Sequence, residues 1–141
     1  MYKFYGNDDC DVIAINNNYP SIKNPKDLYD ALSNIWCKYT CAPRLRENWS
    51  KENMTLGQCS ITSFLVQDIF GGTVYGIALD DGNYHCFNKV GNCVFDLTSE
   101  QFDYALNYQN CSLQSRDIHF QNTNKKERYE YLKKELAKIK E

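Results

Sequence analysis

Three residues of the chain, Cys59, His85 and Asp96, are of the types that carry out thiol chemistry. A cysteine nucleophile needs a base that takes its proton and a third group that orients the base. Cys59 follows a Gly-Gln pair and begins an apolar helical pattern, so we expect it in the first turn of a helix. Because the helix dipole there favours a negative charge, this position would lower the pKa of the thiol.

Two neighbouring strands are predicted to carry His85 and Asp96. Three strand-like runs follow the Cys59 helix, at residues 73–79, 83–90 and 93–97. If Gly91-Asn92 is a two-residue hairpin loop, His85 and Asp96 lie on one face of the sheet, as diagonal neighbours roughly 7–8 Å apart at the backbone. A three-residue loop would place them on opposite faces. We expect the helix that bears Cys59 to cover the face with His85.

The remaining elements predict an α+β fold in which helices pack on an antiparallel sheet, with the nucleophile at a helix N-terminus. The patterns predict a short strand at 12–15, helices at 24–40, 58–70 and from 98, an ambiguous segment at 111–120, and a helix at about 124–140. Asn24 is the expected cap of the first helix, and capping boxes are expected at Thr98 with Gln101 and at Asn124 with Glu127. We interpret residues 1–141 as a single domain with its core in residues 25–120.

The segment GQCSITSFL resembles the nucleophile segment of transglutaminases, and HCFNKVGNCVFDLT resembles the later part of that superfamily. The order Cys, His, Asp agrees with papain-like and transglutaminase-like folds. Residues 45–138 as a whole look closer to the YunG-like proteins, an uncharacterised bacterial family. Transglutaminases usually carry tryptophans soon after the cysteine and near the histidine, where this chain has Ser60 and Phe87.

The resemblance implies a cysteine hydrolase or acyltransferase that acts on an amide, isopeptide or thioester bond of a peptide, protein or small molecule. Cys59 would be the nucleophile, His85 the base and Asp96 the group that orients the base. The Cys59 backbone N–H would form part of an oxyanion hole. Further oxyanion or substrate-binding residues are expected among Gln58, Asn53 and Trp49. This chemistry needs no cofactor.

Charge and hydropathy patterns argue against several other classes of protein. Lysines near the C-terminus alternate with glutamates and the net charge is −2, which argues against nucleic-acid binding. No run reaches the ~18 apolar residues of a membrane span, and no export signal is visible, so we expect a cytoplasmic protein. Seven cysteines without an export signal favour reduced thiols. The sequence does not predict the oligomeric state.

Other interpretations remain open at this point. Cys59 could be a small core residue, His85 a satisfied sheet histidine, and Asp96 the cap of the next helix. Cys37 and Cys41 lack the spacing of a zinc pair, and His119 is expected at the surface. The chain could instead be a non-catalytic ligand-binding protein with a vestigial triad, or an interaction protein that docks through residues 124–141.

Overall fold

The computed structural model describes residues 2–8 and 11–139. Its helices are α1 Pro25–Leu32, α2 Cys59–Phe70, α3 Arg116–His119 and α4 Thr123–Ala137. Its strands are β1 Thr73–Ala78, β2 Tyr84–Val90, β3 Cys93–Phe95 and β4 Ser112–Leu113. Short 3-10 turns lie at Pro43–Asn48, Lys51–Asn53 and Ser99–Gln101. The predicted α+β class is confirmed.

The four strands form one antiparallel sheet in the order β3-β2-β1-β4. Val90 pairs with Cys93, so the connection between β2 and β3 is the predicted two-residue loop. This register places His85 and Asp96 on the same face, because side chains alternate along each strand. The register on which the site depends is therefore confirmed.

The two faces of the sheet have different partners. Helix α2 packs on the face that carries Cys86 and Phe95, and the Asn88 side chain on this face donates to the backbone of α2. The prediction that α2 covers the His85 face is wrong. The apolar side chains of α2 need an apolar surface, whereas the opposite face bears the polar pair His85 and Asp96.

The buried side chains of both chain ends join the same hydrophobic cluster. Phe4 and Ile22 contribute from before α1, and Leu132 and Leu136 contribute from α4. The core therefore extends beyond the predicted residues 25–120. Because the apolar face of α4 is buried in the domain's own core, it is not free to act as a docking face. None of the described helices is long and apolar enough to cross a membrane.

The first helix is shorter than predicted. Asn24 caps α1 as expected, since its side chain accepts a hydrogen bond from the Asp27 N–H. The helix ends at Leu32 instead of residue 40, because Ser33 and Asn34 both donate side-chain hydrogen bonds to the carbonyl of Asp30. These bonds compete with continuation of the helical ladder.

Two local predictions, the strand at 12–15 and the helix cap at Asn124, are also wrong. Residues 12–15 form no strand, because the Ile15 N–H donates to the C-terminal turn of α2. The ambiguous segment 111–120 contains the two-residue β4 and the short α3. Asn122 caps α4 in place of Asn124, whose side chain accepts from Arg128 instead.

The turn that leads into α2 makes a close backbone approach at Gly57. Its φ is +71°, and an added Cβ would lie 2.5 Å from the Cys41 sulfur and 2.9 Å from the Ala42 nitrogen. Gly91 also has positive φ, but an added Cβ there meets no atom within 4 Å.

We expect Gly91→Ala to cost about 1 kcal/mol of unfolding free energy from φ alone. Gly57→Ala should cost about 2 kcal/mol or more, because the clash adds to the φ penalty. Urea unfolding of both variants measures the difference. Equal losses of unfolding free energy in the two variants would show that Cys41 and Ala42 move away from the added Cβ. The turn before Cys59 would then not be held by close packing.

Candidate active site

Cys59 is the first residue of α2, as predicted. Gln58 precedes it with no side-chain capping bond, so the first-turn N–H groups are not capped by a side chain. The sulfur is half-buried and lies 3.8 Å from the carbonyl oxygen of Tyr84 on β2. The thiol thus lies at the positive end of a helix and next to the first residue of β2.

His85 is fully buried and is held by a single short hydrogen bond. Its Nε2 lies 2.6 Å from Oδ2 of Asp96, and both side chains are about 1% exposed. A carboxylate only accepts hydrogen bonds, so Nε2 carries the proton and, in the neutral ring, Nδ1 is an acceptor. Among the described residues Nδ1 has no hydrogen-bond partner, although it is buried. The ring of Phe102 lies edge-on to the imidazole, with the centroids 4.8 Å apart.

Asp96 is buried with a full set of donors. Oδ2 also accepts from the Tyr108 hydroxyl at 2.7 Å, and Oδ1 accepts from the Thr98 N–H at 3.1 Å and the Thr98 hydroxyl at 3.3 Å. The Thr98 side chain accepts no capping bond from the 3-10 turn that follows, so the predicted capping box with Gln101 is wrong. Four hydrogen bonds compensate the carboxylate for its loss of water.

The thiol and the imidazole perturb each other's titration. Hydrogen bonding from the Cys86 thiol and the positive charge of His85 hold the pKa of Cys59 well below that of an ordinary thiol, although burial opposes this. Burial alone would lower the pKa of His85, but Asp96 and Cys59 together raise it to about 10. The arrangement therefore favours a thiolate–imidazolium pair at neutral pH, while the pKa of Cys86 is raised and it stays a thiol.

Cys59 and His85 open onto a cleft of about 580 Å³. Its walls come from the loop before α2, the β1–β2 turn, the 3-10 turn after β3 and the start of α4. His119 also lines the cleft and is half-buried, which corrects its predicted surface position. Its Nε2 lies 2.8 Å from Oε1 of Gln114 and its Nδ1 lies 2.8 Å from Nζ of Lys125.

The three other predicted site residues do not line this cleft. The Gln58 side chain is buried, and its amide nitrogen donates to the Cys37 carbonyl. Trp49 donates to the Met54 carbonyl, and Asn53 ends a 3-10 turn outside the cleft. Local sequence offsets could not place them, because the path of the loop before α2 is set by its tertiary contacts.

Two residues of the site are not evident from the sequence alone. Tyr108 lies in an irregular segment, and no local pattern connects it to Asp96. Phe102 lies against His85 because the 3-10 turn folds back over the sheet. The contact from Thr98 to Asp96, by contrast, does have a sequence signal, which is the Asp-x-Thr pattern.

The cysteines give no sign of a metal centre in the described part of the chain. No group of three or more His, Cys, Asp or Glu side chains there could hold a metal ion. Cys37, Cys41, Cys59, Cys86, Cys93 and Cys111 are all free thiols.

Comparison with known proteins gives the family of this chain. The family model described as YunG protein matches residues 24–141. The chain belongs to the YunG family. A YunG-family relative from Bacillus subtilis (strain 168), named "Uncharacterized protein YunG", is 32% identical over 107 residues, which cover 76% of this chain and 86% of the relative. No solved structure matches the chain. The expected YunG-like resemblance is confirmed, and these comparisons do not support a transglutaminase-like or papain-like core.

The raised pKa of His85 predicts a specific response to Asp96→Asn. Removing the carboxylate charge should move the His85 pKa from about 10 down towards or below its ordinary value near 6.5. NMR titration of the histidine side chains measures this directly. His119, the other histidine, is an internal control whose pKa is lowered to about 4, mainly by burial, and should not change. An unchanged His85 pKa would show that Asp96 does not stabilise the imidazolium.

Proposed function

We propose that this YunG-family protein is a cysteine hydrolase or acyltransferase that uses Cys59, His85 and Asp96. The observation that carries the proposal is the state of the His85 ring. One nitrogen is locked to Asp96, while the other is buried, unpartnered among the described residues, and coupled electrostatically to the Cys59 thiol. An unpartnered acceptor nitrogen that senses the charge of a thiol is suited to take the proton of that nucleophile.

The first chemical step is acyl transfer to sulfur. The Cys59 thiolate attacks the carbonyl carbon of an amide or thioester and forms a carbon–sulfur bond. As the tetrahedral intermediate collapses, the bond to the leaving group breaks, and the proton on Nδ1 of His85 passes to the departing nitrogen or sulfur. The Cys59 backbone N–H would stabilise the developing oxyanion, and the absence of a side-chain cap at the start of α2 supports this role.

The second step releases the acyl group. Water or an amine attacks the acyl carbon and gives a proton to Nδ1, the bond to Cys59 breaks, and the thiolate–imidazolium pair is restored. Throughout, Asp96 keeps the ring in one orientation and stabilises its positive charge. Water as acceptor gives hydrolysis, and an amine gives transfer.

The order of the three residues along the chain supports the same proposal. A nucleophile at the start of a helix, followed in the chain by a histidine and an aspartate on adjoining strands, is the order of papain-like and transglutaminase-like enzymes. The cleft of about 580 Å³ is large enough for a short peptide segment or a small amide or thioester. We therefore propose an amide, isopeptide or thioester bond as the substrate.

Acylation by p-nitrophenyl acetate tests the proposal. Mass spectrometry after an acid quench should locate the acetyl group on Cys59. Cys59→Ser should lose this adduct, and His85→Ala should slow its formation by about 100-fold or more, because the base is removed. Cys111→Ser is the matched control, since Cys111 is exposed and outside the cleft, and it should acylate like the wild type.

Two results would contradict the proposal. One is acetylation spread over the exposed cysteines. The other is acetylation of Cys59 at the same rate with and without His85. Either would favour the alternative of a non-catalytic ligand-binding protein with a vestigial triad.

A further inference from the structure

Two cations of helix α4, Lys125 and Arg128, line the cleft that holds Cys59. Neither forms an ion pair with a carboxylate of the described residues. The third cation of the cleft, Arg44, is already paired with Asp81 at 3.2 Å. Asp81 is the sole carboxylate among the described residues that line the cleft, so the wall carries an excess of positive charge.

Arg128 is the more buried of the two, at 3% exposure. Its Nε donates to the Asn124 side chain at 2.8 Å, and one terminal nitrogen, Nη1, donates to the Thr40 carbonyl at 2.9 Å. Both acceptors are neutral, so they orient the guanidinium without balancing its charge. Burying a charge without a counter-ion is costly, and Arg128 retains hydrogen-bonding capacity for an anion in the cleft.

Lys125 is held at the same wall by a neutral partner. Its Nζ lies 2.8 Å from Nδ1 of His119, which is the acceptor nitrogen if the other nitrogen donates to Gln114. Burial lowers the pKa of His119 to about 4, so this imidazole is neutral at pH 7 and supplies no negative charge. The ammonium group thus has an orientation but no counter-ion among the described residues.

Both cations lie close enough to Cys59 for a thiolate there to favour their charged forms, whereas burial lowers the pKa of each. The reacting groups offset only part of the charge of these two cations, however. The Cys59 thiolate and the Asp96 carboxylate share the imidazolium of His85, so the site leaves part of the charge of the two α4 cations uncompensated.

We propose that Lys125 and Arg128 form an anion subsite, and that the substrate acted on by Cys59 carries a carboxylate or phosphate group that binds there. The planar fork of arginine beside an ammonium suits either anion. That the bound anion belongs to a substrate rests on the proposed function, but the subsite itself is testable without it.

Anion binding tests the subsite independently of catalysis. Thermal unfolding is measured with N-acetylglycine, neutral N-acetylglycinamide, inorganic phosphate and chloride at equal ionic strength. We expect the melting temperature to rise with N-acetylglycine, with phosphate or with both, relative to chloride and the neutral amide. The carboxylate and phosphate arms show which anion is preferred. The rise should disappear in Lys125→Gln, persist in Lys125→Arg and persist in the control Lys126→Gln, at an exposed position of the same helix.

Alkylation of Cys59 tests whether the subsite lies next to the thiol. Iodoacetate carries a carboxylate, whereas iodoacetamide is a neutral reagent of similar size. The rate with iodoacetate divided by the rate with iodoacetamide at Cys59 should fall by about threefold or more in Lys125→Gln at low salt, because the charge that attracts the carboxylate is lost. This ratio should stay at the wild-type value in Lys126→Gln.

The two experiments separate the failure of each proposal. If Cys59 reacts slowly with both reagents, the proposed function fails while the melting-temperature result still decides the subsite. If neither anion raises the melting temperature beyond chloride, or if Lys125→Gln retains the full rise, the subsite is overturned.

Discussion

The hydrogen bond between His85 and Asp96 is the interaction on which the rest of the site depends. It joins two side chains that are almost completely buried, at 2.6 Å. A buried carboxylate is stable only if its lone pairs are used, and Thr98 and Tyr108 provide the remaining donors. The geometry of the imidazole is therefore set by a network that spans β2, the end of β3 and the segment beyond it.

The nucleophile reaches this network from the other side of the sheet. Helix α2 packs on the apolar face, yet its first residue lies beside the backbone of β2 near Tyr84. β3 is paired only with residues 88–90 of β2, so the early part of β2 is not covered by that strand. Cys59, from a helix on one face of the sheet, and His85, whose side chain belongs to the opposite face, thus line the same cleft at the start of β2.

The sequence predicts the parts of this site that depend on local patterns. The two-residue turn fixes the register, and the register brings His85 and Asp96 together; the position of Cys59 follows from the apolar pattern of α2. What it could not predict depends on long-range contacts. Long-range contacts bring Tyr108 to Asp96 and decide which face of the sheet α2 covers. They also place three residues outside the cleft: Gln58, Asn53 and Trp49. Ser33 and Asn34 show that side-chain competition for a carbonyl can end a helix well before its apolar pattern does.

The pH dependence of iodoacetamide labelling at Cys59, in the wild type and in His85→Ala, tests the central claim most directly. The account predicts rapid labelling of Cys59 near pH 6, because its pKa is lowered, with rates far above those of the exposed Cys111. In His85→Ala the labelling of Cys59 should become slower at pH 6 and its pH profile should move to higher pH, because the imidazolium charge is lost while the hydrogen bond from Cys86 remains. Labelling of Cys59 that is no faster than that of Cys111, or that is unaffected by the loss of His85, would contradict a thiolate–imidazolium pair.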